Sequence, residues 1–430
     1  MIGVIGVVLL LILILSKVSV GLALLLVGFI GTIWINGLDS ALSQLGSSTF
    51  GVANNYSLTV IPLFVFMGML LSNTGLGKEL FVTVEKWIGH FRGGLAVATI
   101  GAAAIFSSIS GSANATTATL TNICVPEMRE YKYKTTFSTA AVAAGGTLGS
   151  LIPPSVLLIL YGALTSEAIG PLLIGGLVPG ILMAIAFFIM INIQVRLDPS
   201  IAPRSVEDYT WKDRIISLKN VWAFLVIFLL SIGGIYFGFF TPTEAGGVGA
   251  LGAFLLTLFT KRLNFKTLIN SLQETVRISV MIFLILVGAG LFGTFLALSR
   301  IPMYLSSIVG TLDYSPYIIL IMILLVLFLL GMFLEGIAIM VLTLPIIYPL
   351  IIQLGFDGLW FGVIMIMMIN IGVLTPPLGL SVFIISSIVK EVPIEKIFKG
   401  VIPVIVTMVL FIIILIIFPE IVTFLPSLSG

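Results

Sequence analysis

From Ile2 to Ile417 long apolar runs alternate with short polar intervals, the pattern of membrane-crossing helices joined by loops. Residues 2–15 and 18–35 predict two spans that turn at Lys17, and the more polar stretch 36–56 predicts an outside loop with a surface helix. Residues 58–71 return through the membrane. Residues 77–92 set apolar Leu80, Phe81, Val84 and Trp87 against Lys78, Glu85 and Lys86, the spacing of a helix lying in the interface. Two short apolar segments follow, 94–109 and 113–125, around the small, polar tip Ser110-Gly111-Ser112. Each is shorter than the roughly 20 residues a crossing needs, so together they predict a re-entrant hairpin. Then come a long apolar run at 135–165, a span at 169–195 and a charged loop at 196–219. Residues 221–240 and 245–259 make another pair, 261–274 a second amphipathic linker and 276–298 a further crossing. A second hairpin is expected from 317–331 and 337–352, then a long run at 360–389 and a last span at 397–417.

Two of these runs carry the same interruption. Gly149-Ser150-Leu151-Ile152-Pro153-Pro154 returns 223 residues later as Gly372-Val373-Leu374-Thr375-Pro376-Pro377. Proline lacks a backbone N–H and clashes with the preceding turn, so each copy predicts a helix broken in two. In lipid such a break is tolerated only where it is buried in protein or lines a cavity. Gly111 precedes Pro153 by 42 residues and Gly336 precedes Pro376 by 40, so hairpin and break repeat as a unit.

Charge sets the orientation. With the N-terminus outside, the inside loops hold Lys17, Lys78, Lys86, Arg92, Arg129, Lys132, Lys134, Arg196, Arg204, Lys212, Arg214, Lys219, Lys261, Arg262, Lys266, Arg277, Lys390, Lys396 and Lys399, 19 of the 20 basic residues. Only Arg300 lies outside, as the inside bias of Lys and Arg requires, and reading either hairpin as a single crossing destroys the pattern. The first hairpin then opens from the inside and the second from the outside, so the two units are inverted repeats whose tips and breaks can meet near the midplane. Composition adds the class: 59% hydrophobic and 9% charged residues, with a mean hydropathy of +1.26, make an integral membrane protein. A net charge of +2 spread over short loops points to no nucleic acid. One cysteine, Cys124, excludes an internal disulfide, and one histidine, His90, excludes zinc sites built on two or three histidines. No Lys or Arg precedes Lys17, so the first run reads as a retained helix rather than a signal peptide.

Candidate chemistry collects at the tips and breaks: Ser107, Ser108, Ser110, Ser112, Asn114, Thr116 and Thr117, then Gly145, Gly146, Thr147, Gly149 and Ser150. Unwound carbonyls and hydroxyls suit a hard cation such as sodium, and helix N-termini suit an anionic group. For any one residue the alternative is close helix packing; the duplicated constellation favours ion and substrate binding. Glu335, beside the second tip, reads either as a proton carrier or as an acceptor for the tip's own N–H groups. Glu244 in Thr241-Pro242-Thr243-Glu244 reads as a helix cap, Glu167 as a solvated cap, His90 as an interface anchor and Cys124 as packing. There is no nucleophile–base pair, metal cluster or nucleotide loop, so an enzyme is not expected, and the ion gradient is the remaining energy source.

Taken together, Phe106-Ser-Ser-Ile-Ser-Gly-Ser-Ala-Asn-Ala-Thr-Thr117, Gly145-Gly-Thr-Leu-Gly-Ser-Leu-Ile-Pro-Pro-Ser155, Gly331-Met-Phe-Leu-Glu-Gly336 and Asn370-Ile-Gly-Val-Leu-Thr-Pro-Pro377 resemble the large membrane subunit of TRAP (tripartite ATP-independent periplasmic) transporters, of the DctM or SiaM type. The resemblance runs nearly end to end. It implies an all-α polytopic membrane protein of inverted repeats, with two re-entrant hairpins and two broken helices, working as a sodium-driven elevator. Scaffold helices would occupy residues 1–76 and 169–260, an amphipathic arm 77–92 and the first mobile repeat 93–168. A linker (261–275), a linking helix (276–298), the second mobile repeat (299–390) and a C-terminal helix (391–430) would complete it. The resemblance also implies a multi-pass protein of the bacterial inner membrane with both termini periplasmic.

Carried over by motif, one sodium site would use Ser107, Ser110, Gly149, Ile152 and Pro154, and the other Gly331, Gly372, Thr375 and Leu378. The solute would lie by Ser112, Asn114, Thr116, Pro153, Glu335 and Pro376. Two partners are implied: a small four-helix membrane subunit, expected as a separate polypeptide, and a periplasmic binding protein that delivers an organic acid such as sialic acid or a C4-dicarboxylate. A stand-alone divalent-anion/sodium or proton symporter is the alternative.

Overall fold

The computed structural model describes residues 2–91, 93–203, 209–219, 221–304, 307 and 314–428; Arg92 and Arg204 of the charge count, and residues 305, 306 and 308–313 at the start of the second repeat, lie outside them. Among the described residues the fold is all helical, and six helices are long and apolar enough to cross a membrane. Small residues bring the scaffold together. Val20–Asn36 packs along Phe265–Leu298, where a Cβ on Gly28 would stand 2.6 Å from the backbone of Leu291 and Phe292. A Cβ on Gly288 would stand 2.5 Å from Gly21 O. Between lipid-exposed helices there is little hydrophobic drive to associate, so backbone-to-backbone approach through glycine supplies the dispersion contacts. Val60–Asn73 lies beside Pro242–Phe259, with Gly249 against Met67, and Asn73 donates to Ser271 Oγ at 3.0 Å. The surface helix Leu38–Ala53 is tied down by Gln44, whose amide donates to Thr294 Oγ1 at 2.9 Å.

Both hairpins and both breaks form. Gly94–Ser110 and Ala113–Glu130 join at Gly111, where φ of +58° favours glycine, and Pro316–Gly331 and Gly336–Gln353 join through residues 332–335. The first broken helix is Thr135–Leu148 and Val156–Thr165, the second Gly358–Gly372 and Leu380–Ile388, with cis Pro153–Pro154 and Pro376–Pro377 bonds inside the gaps. The helix Ile169–Leu197 serves as a ruler between the repeats: its 29 residues span about 43 Å at 1.5 Å each. The base of the first hairpin meets its C-terminal end, where Lys134 Nζ pairs with Asp198 at 3.0 Å and Lys134 N donates to Ile201 O at 2.9 Å. The second hairpin meets its N-terminal end, where Tyr348 OH donates to Glu167 Oε1 at 2.5 Å. The two hairpins therefore open from opposite ends of the molecule.

Each repeat also leans on the other's supports. Gly176 and Gly180 of Ile169–Leu197 let that helix ride directly over Leu151 and Ile152 of the first break. The helix Ile394–Ile417 crosses the first broken helix at Gly400, 2.7 Å (from its Cβ position) from Thr136 O, and accepts Trp360 Nε1 of the second at Leu415 O, 2.9 Å.

Several boundaries differ from the sequence reading. The second amphipathic linker and the crossing after it are one continuous helix, Phe265–Leu298, because no Pro or Gly separates Lys266 from Leu286 and Asn264 caps the start through Thr267 N at 2.7 Å. The charged loop 196–219 holds a helix, Trp211–Leu218, begun by a Thr210–Asp213 capping box and seated on the amphipathic arm. There Trp87 meets Trp211 edge-on with centroids 6.2 Å apart, and Thr83 Oγ1 donates to Ser217 O at 3.2 Å. The second arm of the first hairpin runs on through Pro126 to Glu130, and a short helix, Glu420–Ser427, follows the last span. Glu167 is not a solvated cap, since the Tyr348 hydroxyl holds it. Glu244 does cap its helix through Thr241, and Cys124 is buried.

Two glycines test this packing. Gly28→Val should destabilise the protein by about 1–3 kcal/mol because backbone, not a flexible side chain, blocks the new atoms. Gly46→Ala, in the middle of Leu38–Ala53 with nothing within 4 Å, should stabilise it by about 0.5–1 kcal/mol. Thermal unfolding of the purified chain in one detergent checks both; equal shifts would contradict the glycine-mediated seam.

Candidate functional site

The tips and breaks line a cavity of about 350 Å³ between the two repeats and the helices Val60–Asn73 and Phe265–Leu298. Ser110 to Ala115 of the first tip, Glu335 to Ile337 of the second, Ser150, Val156 and Leu157 at the first break, and Ile369, Asn370, Val373 and Leu380 at the second all line it. Val65 and Met69 close it from one scaffold helix, and Ile278, Met281 and Ile282 from another. Four helices begin at this cavity: Ala113–Glu130, Val156–Thr165, Gly336–Gln353 and Leu380–Ile388. Part of each first turn is already paired, Ala115 N with Ser112 Oγ, Leu158 N with Ser155 Oγ and Ser381 N with Val373 O, and each N-terminus carries about half a positive charge. Among the lining residues the only ionisable side chain is Glu335; no Lys, Arg or His reaches the cavity. The arrangement can hold an anion without a basic residue.

At the cavity two side-chain bridges cross the boundary between repeats, besides Tyr348–Glu167 and Tyr161–Gly358 farther out. Asn114 Nδ2 of the first tip donates to Glu335 Oε1 of the second at 3.4 Å. Asn370 Nδ2, buried at the end of Gly358–Gly372, donates to Ser150 Oγ at 2.6 Å and to Thr147 O at 3.4 Å. Glu335 occupies the N-cap position of its helix but makes no cap hydrogen bond, so it does not serve the tip's own N–H groups. Its carboxylate is turned to the cavity and to Asn114 instead.

Behind the first tip, oxygens crowd against the break. Ser110 Oγ and Thr116 Oγ1 share a hydrogen bond of 2.6 Å. A Cβ on Gly149 would lie 2.7 Å from Ser112 O and 2.8 Å from Thr116 Oγ1, and one on Gly111 would lie 2.5 Å from Pro154 O. Gly146 sits against Thr117 Oγ1. Val156 N donates to Gly111 O at 3.1 Å, fastening tip to break. Ser107 Oγ and Thr117 Oγ1 are buried and meet no hydrogen-bond partner among the described residues, and a buried hydroxyl left without a partner costs about 1–3 kcal/mol. A small cation bound by oxygen would remove that cost. Among the described residues no three His, Cys, Asp or Glu side chains come together.

The second tip mirrors this with barer backbone. Gly331 and Gly372 abut so closely that a Cβ on either would fall within 2.8 Å of the other's Cα, and Leu378 N donates to Met332 O at 3.3 Å. Thr375 Oγ1 is spent on Ile371 O at 2.7 Å.

Of the residues expected at the solute, Ser112, Asn114 and Glu335 line the cavity. Thr116, Pro153 and Pro376 do not: Thr116 is engaged by Ser110 beneath the surface, Pro153 is buried in the first break, and Pro376 is exposed outside the lining. Of those expected at sodium, Ser107, Ser110, Gly149 and Pro154 belong to the first oxygen cluster, and Gly331, Gly372, Thr375 and Leu378 to the second tip and break. The side chain of Ile152 packs on Gly180, leaving only its backbone for the site. Sequence reasoning passed over Asn370 as a candidate ligand and counted Ser150 and Thr117 among the candidates without assigning them to the ion or the solute. The signal for Asn370 was available, a buried amide two residues before the repeated glycine, where polar atoms need partners.

Comparison with known proteins agrees. Residues 7–421 match the family described as "Tripartite ATP-independent periplasmic transporter, DctM component". The chain is 32% identical over 93% of its length to the C4-dicarboxylate TRAP transporter large permease protein DctM of Pseudomonas aeruginosa, covering 91% of that protein. It is 32% identical over 96% of its length to the sialic acid TRAP transporter large permease protein SiaM of Vibrio cholerae, covering 96% of it. Among solved structures, the Alcanivorax borkumensis YdaH transporter shares the fold with a TM-score of 0.69 at 14% identity, over 90% of each chain. With hairpins, breaks and family match in agreement, this multi-pass membrane chain belongs to the DctM family of TRAP transporter large permeases.

Proposed function

We propose that the chain carries an organic acid across the bacterial inner membrane together with sodium, by an elevator movement of the two repeats against the scaffold. The observation that supports it most is the convergence of four helix N-termini on a cavity that holds no basic side chain. A carboxylate there is met by N–H groups and the Ser112 hydroxyl, and its charge is offset by helix dipoles and by cations behind the tips. Ser107, Ser110, Thr117 and the carbonyls of Gly149 and Pro154 supply oxygen for one sodium ion. Backbone at Gly331, Gly372, Thr375 and Leu378 supplies it for a second.

Sodium would draw each tip onto its break, and the ordered tips then complete the solute site, so solute and ion bind together. The hairpins are re-entrant on this reading, and the repeats travel as one body because Asn114–Glu335 and Asn370–Ser150 tie them together. The family's tripartite design brings a small membrane subunit bracing the scaffold and a periplasmic binding protein delivering the solute. Sialic acid and C4-dicarboxylates, named for the relatives, are the solute classes to try first.

Uptake into proteoliposomes tests the whole reading. Accumulation should need an inward sodium gradient, the small subunit and the binding protein; uptake without any binding protein would return the chain to a stand-alone symporter.

Ser107→Ala and Thr117→Val separate ion ligands from packing. If the two hydroxyls face sodium, each variant should need about tenfold more sodium for the same rise in melting temperature, while its stability without sodium stays level or rises. An unchanged sodium response would assign both to packing.

Glu335→Gln should sort the solutes. Removing the cavity's one carboxylate weakens a polyhydroxylated monocarboxylate that donates to it by about 1.5–3 kcal/mol, roughly 10- to 100-fold. A dicarboxylate, relieved of repulsion, should bind more tightly. Competition for uptake reads the difference, and identical shifts for both solutes would place Glu335 outside the solute site.

A further inference from the structure

A second cavity lies far from the transport site, at the basic ends of the helices Trp222–Tyr236 and Pro242–Phe259. It measures about 580 Å³ and has a polar end and an apolar end. Lys219 and Arg262 stand at the polar end with Thr257 and Thr260. Trp222 and Phe259 flank them, 59% and 77% exposed, as aromatic residues do at a membrane interface. From there the lining descends along two helices. Below Lys219, which closes Trp211–Leu218, it passes from Ala223 to Ile227 of Trp222–Tyr236 on one side, and from Thr260 to Leu256 to Gly252 on the antiparallel neighbour. Eight residues of helix reach about 12 Å into the apolar layer. Gly252 keeps the floor open, since a Cβ there would press on Ile227 at 3.1 Å.

We infer that this groove holds an anionic glycerophospholipid of the cytoplasmic leaflet, its phosphate at Lys219 and Arg262 and one acyl chain along Ala223, Ile227 and Gly252. Charge complementarity selects the occupant. Basic pockets between helices on the cytoplasmic side suit anionic headgroups, and the inside bias of Lys and Arg puts this end on that side. Arg262 also pairs with Glu79 of the amphipathic arm, so its guanidinium is held at the mouth rather than swinging free. A zwitterionic lipid would bring a third positive charge to a mouth that already holds Lys219 and Arg262. The bound lipid would join the two scaffold helices to the arm that leads into the first hairpin. The inference rests on the membrane orientation expected from the basic loops, but it is measured without solute or sodium and can fail while transport stands.

The test is lipid retention by the full-length chain released from nanodiscs of equal phosphatidylglycerol and phosphatidylcholine, read by native mass spectrometry. The wild type should keep phosphatidylglycerol in preference to phosphatidylcholine. Lys219→Gln, at an exposed position, should weaken that retention about fivefold, the worth of one basic residue at the membrane surface. Ala223→Trp, which fills the groove and leaves the charges in place, should abolish it. Equal retention of the two lipids, or retention unchanged in either variant, would overturn the inference. So would full-yield crosslinking of Ala223→Cys to the small subunit in the assembled complex, because protein would then occupy the groove.

Discussion

A backbone that leaves its helix inside lipid must find partners for the N–H and C=O groups it frees, and everything in this molecule answers to that requirement. The double prolines at 153–154 and 376–377 open two such gaps, and the hairpin tips close them. Val156 N reaches Gly111 O, and Leu378 N reaches Met332 O. What remains at the cavity is four helix starts, and behind Gly111 and Gly149 a set of packed oxygens.

Glycine makes the arrangement possible at two scales. At the site, Gly331 and Gly372 let hairpin and break touch backbone to backbone, and Gly149 lets the first tip bring Ser112 O and Thr116 Oγ1 onto the break. In the scaffold, Gly21, Gly28 and Gly288 draw Val20–Asn36 onto Phe265–Leu298, giving the repeats a firm wall to lie against. The two repeats are held to each other differently, by Asn114–Glu335 and Asn370–Ser150 at the cavity, while the base of the first hairpin is tied to the start of the C-terminal segment by Arg129–Glu391, where the Arg129 guanidinium holds the Glu391 carboxyl below its usual range.

Much of this was legible in the chain because its constraints are local. A double proline in an apolar run breaks a helix wherever it lies, and a run shorter than a bilayer followed by Ser-Gly-Ser must turn back. The helix–turn–helix hairpins and the breaks followed from such residues, and the expected inversion from the count of basic residues. What was not legible depended on where distant residues meet. Nothing local shows that Asn370 will reach Ser150, that Tyr348 will donate to Glu167, or that Glu335 will turn from its own helix toward Asn114. Helix ends were missed for a related reason: Asn264 and Thr210 start helices whose apolar faces are set by neighbours far along the chain. Pro153 and Pro376 shape the site without lining it, which spacing alone could not separate.

The central claim is that two inverted tip-and-break pairs form one ion-dependent unit. Hydrogen–deuterium exchange of the purified chain, with sodium replaced by choline at constant ionic strength, tests it most directly. Sodium should slow exchange at residues 107–117, 149–156, 331–337 and 372–380 together, leaving the scaffold helices unchanged. Slowing confined to one tip or one break, or none at all, would contradict it.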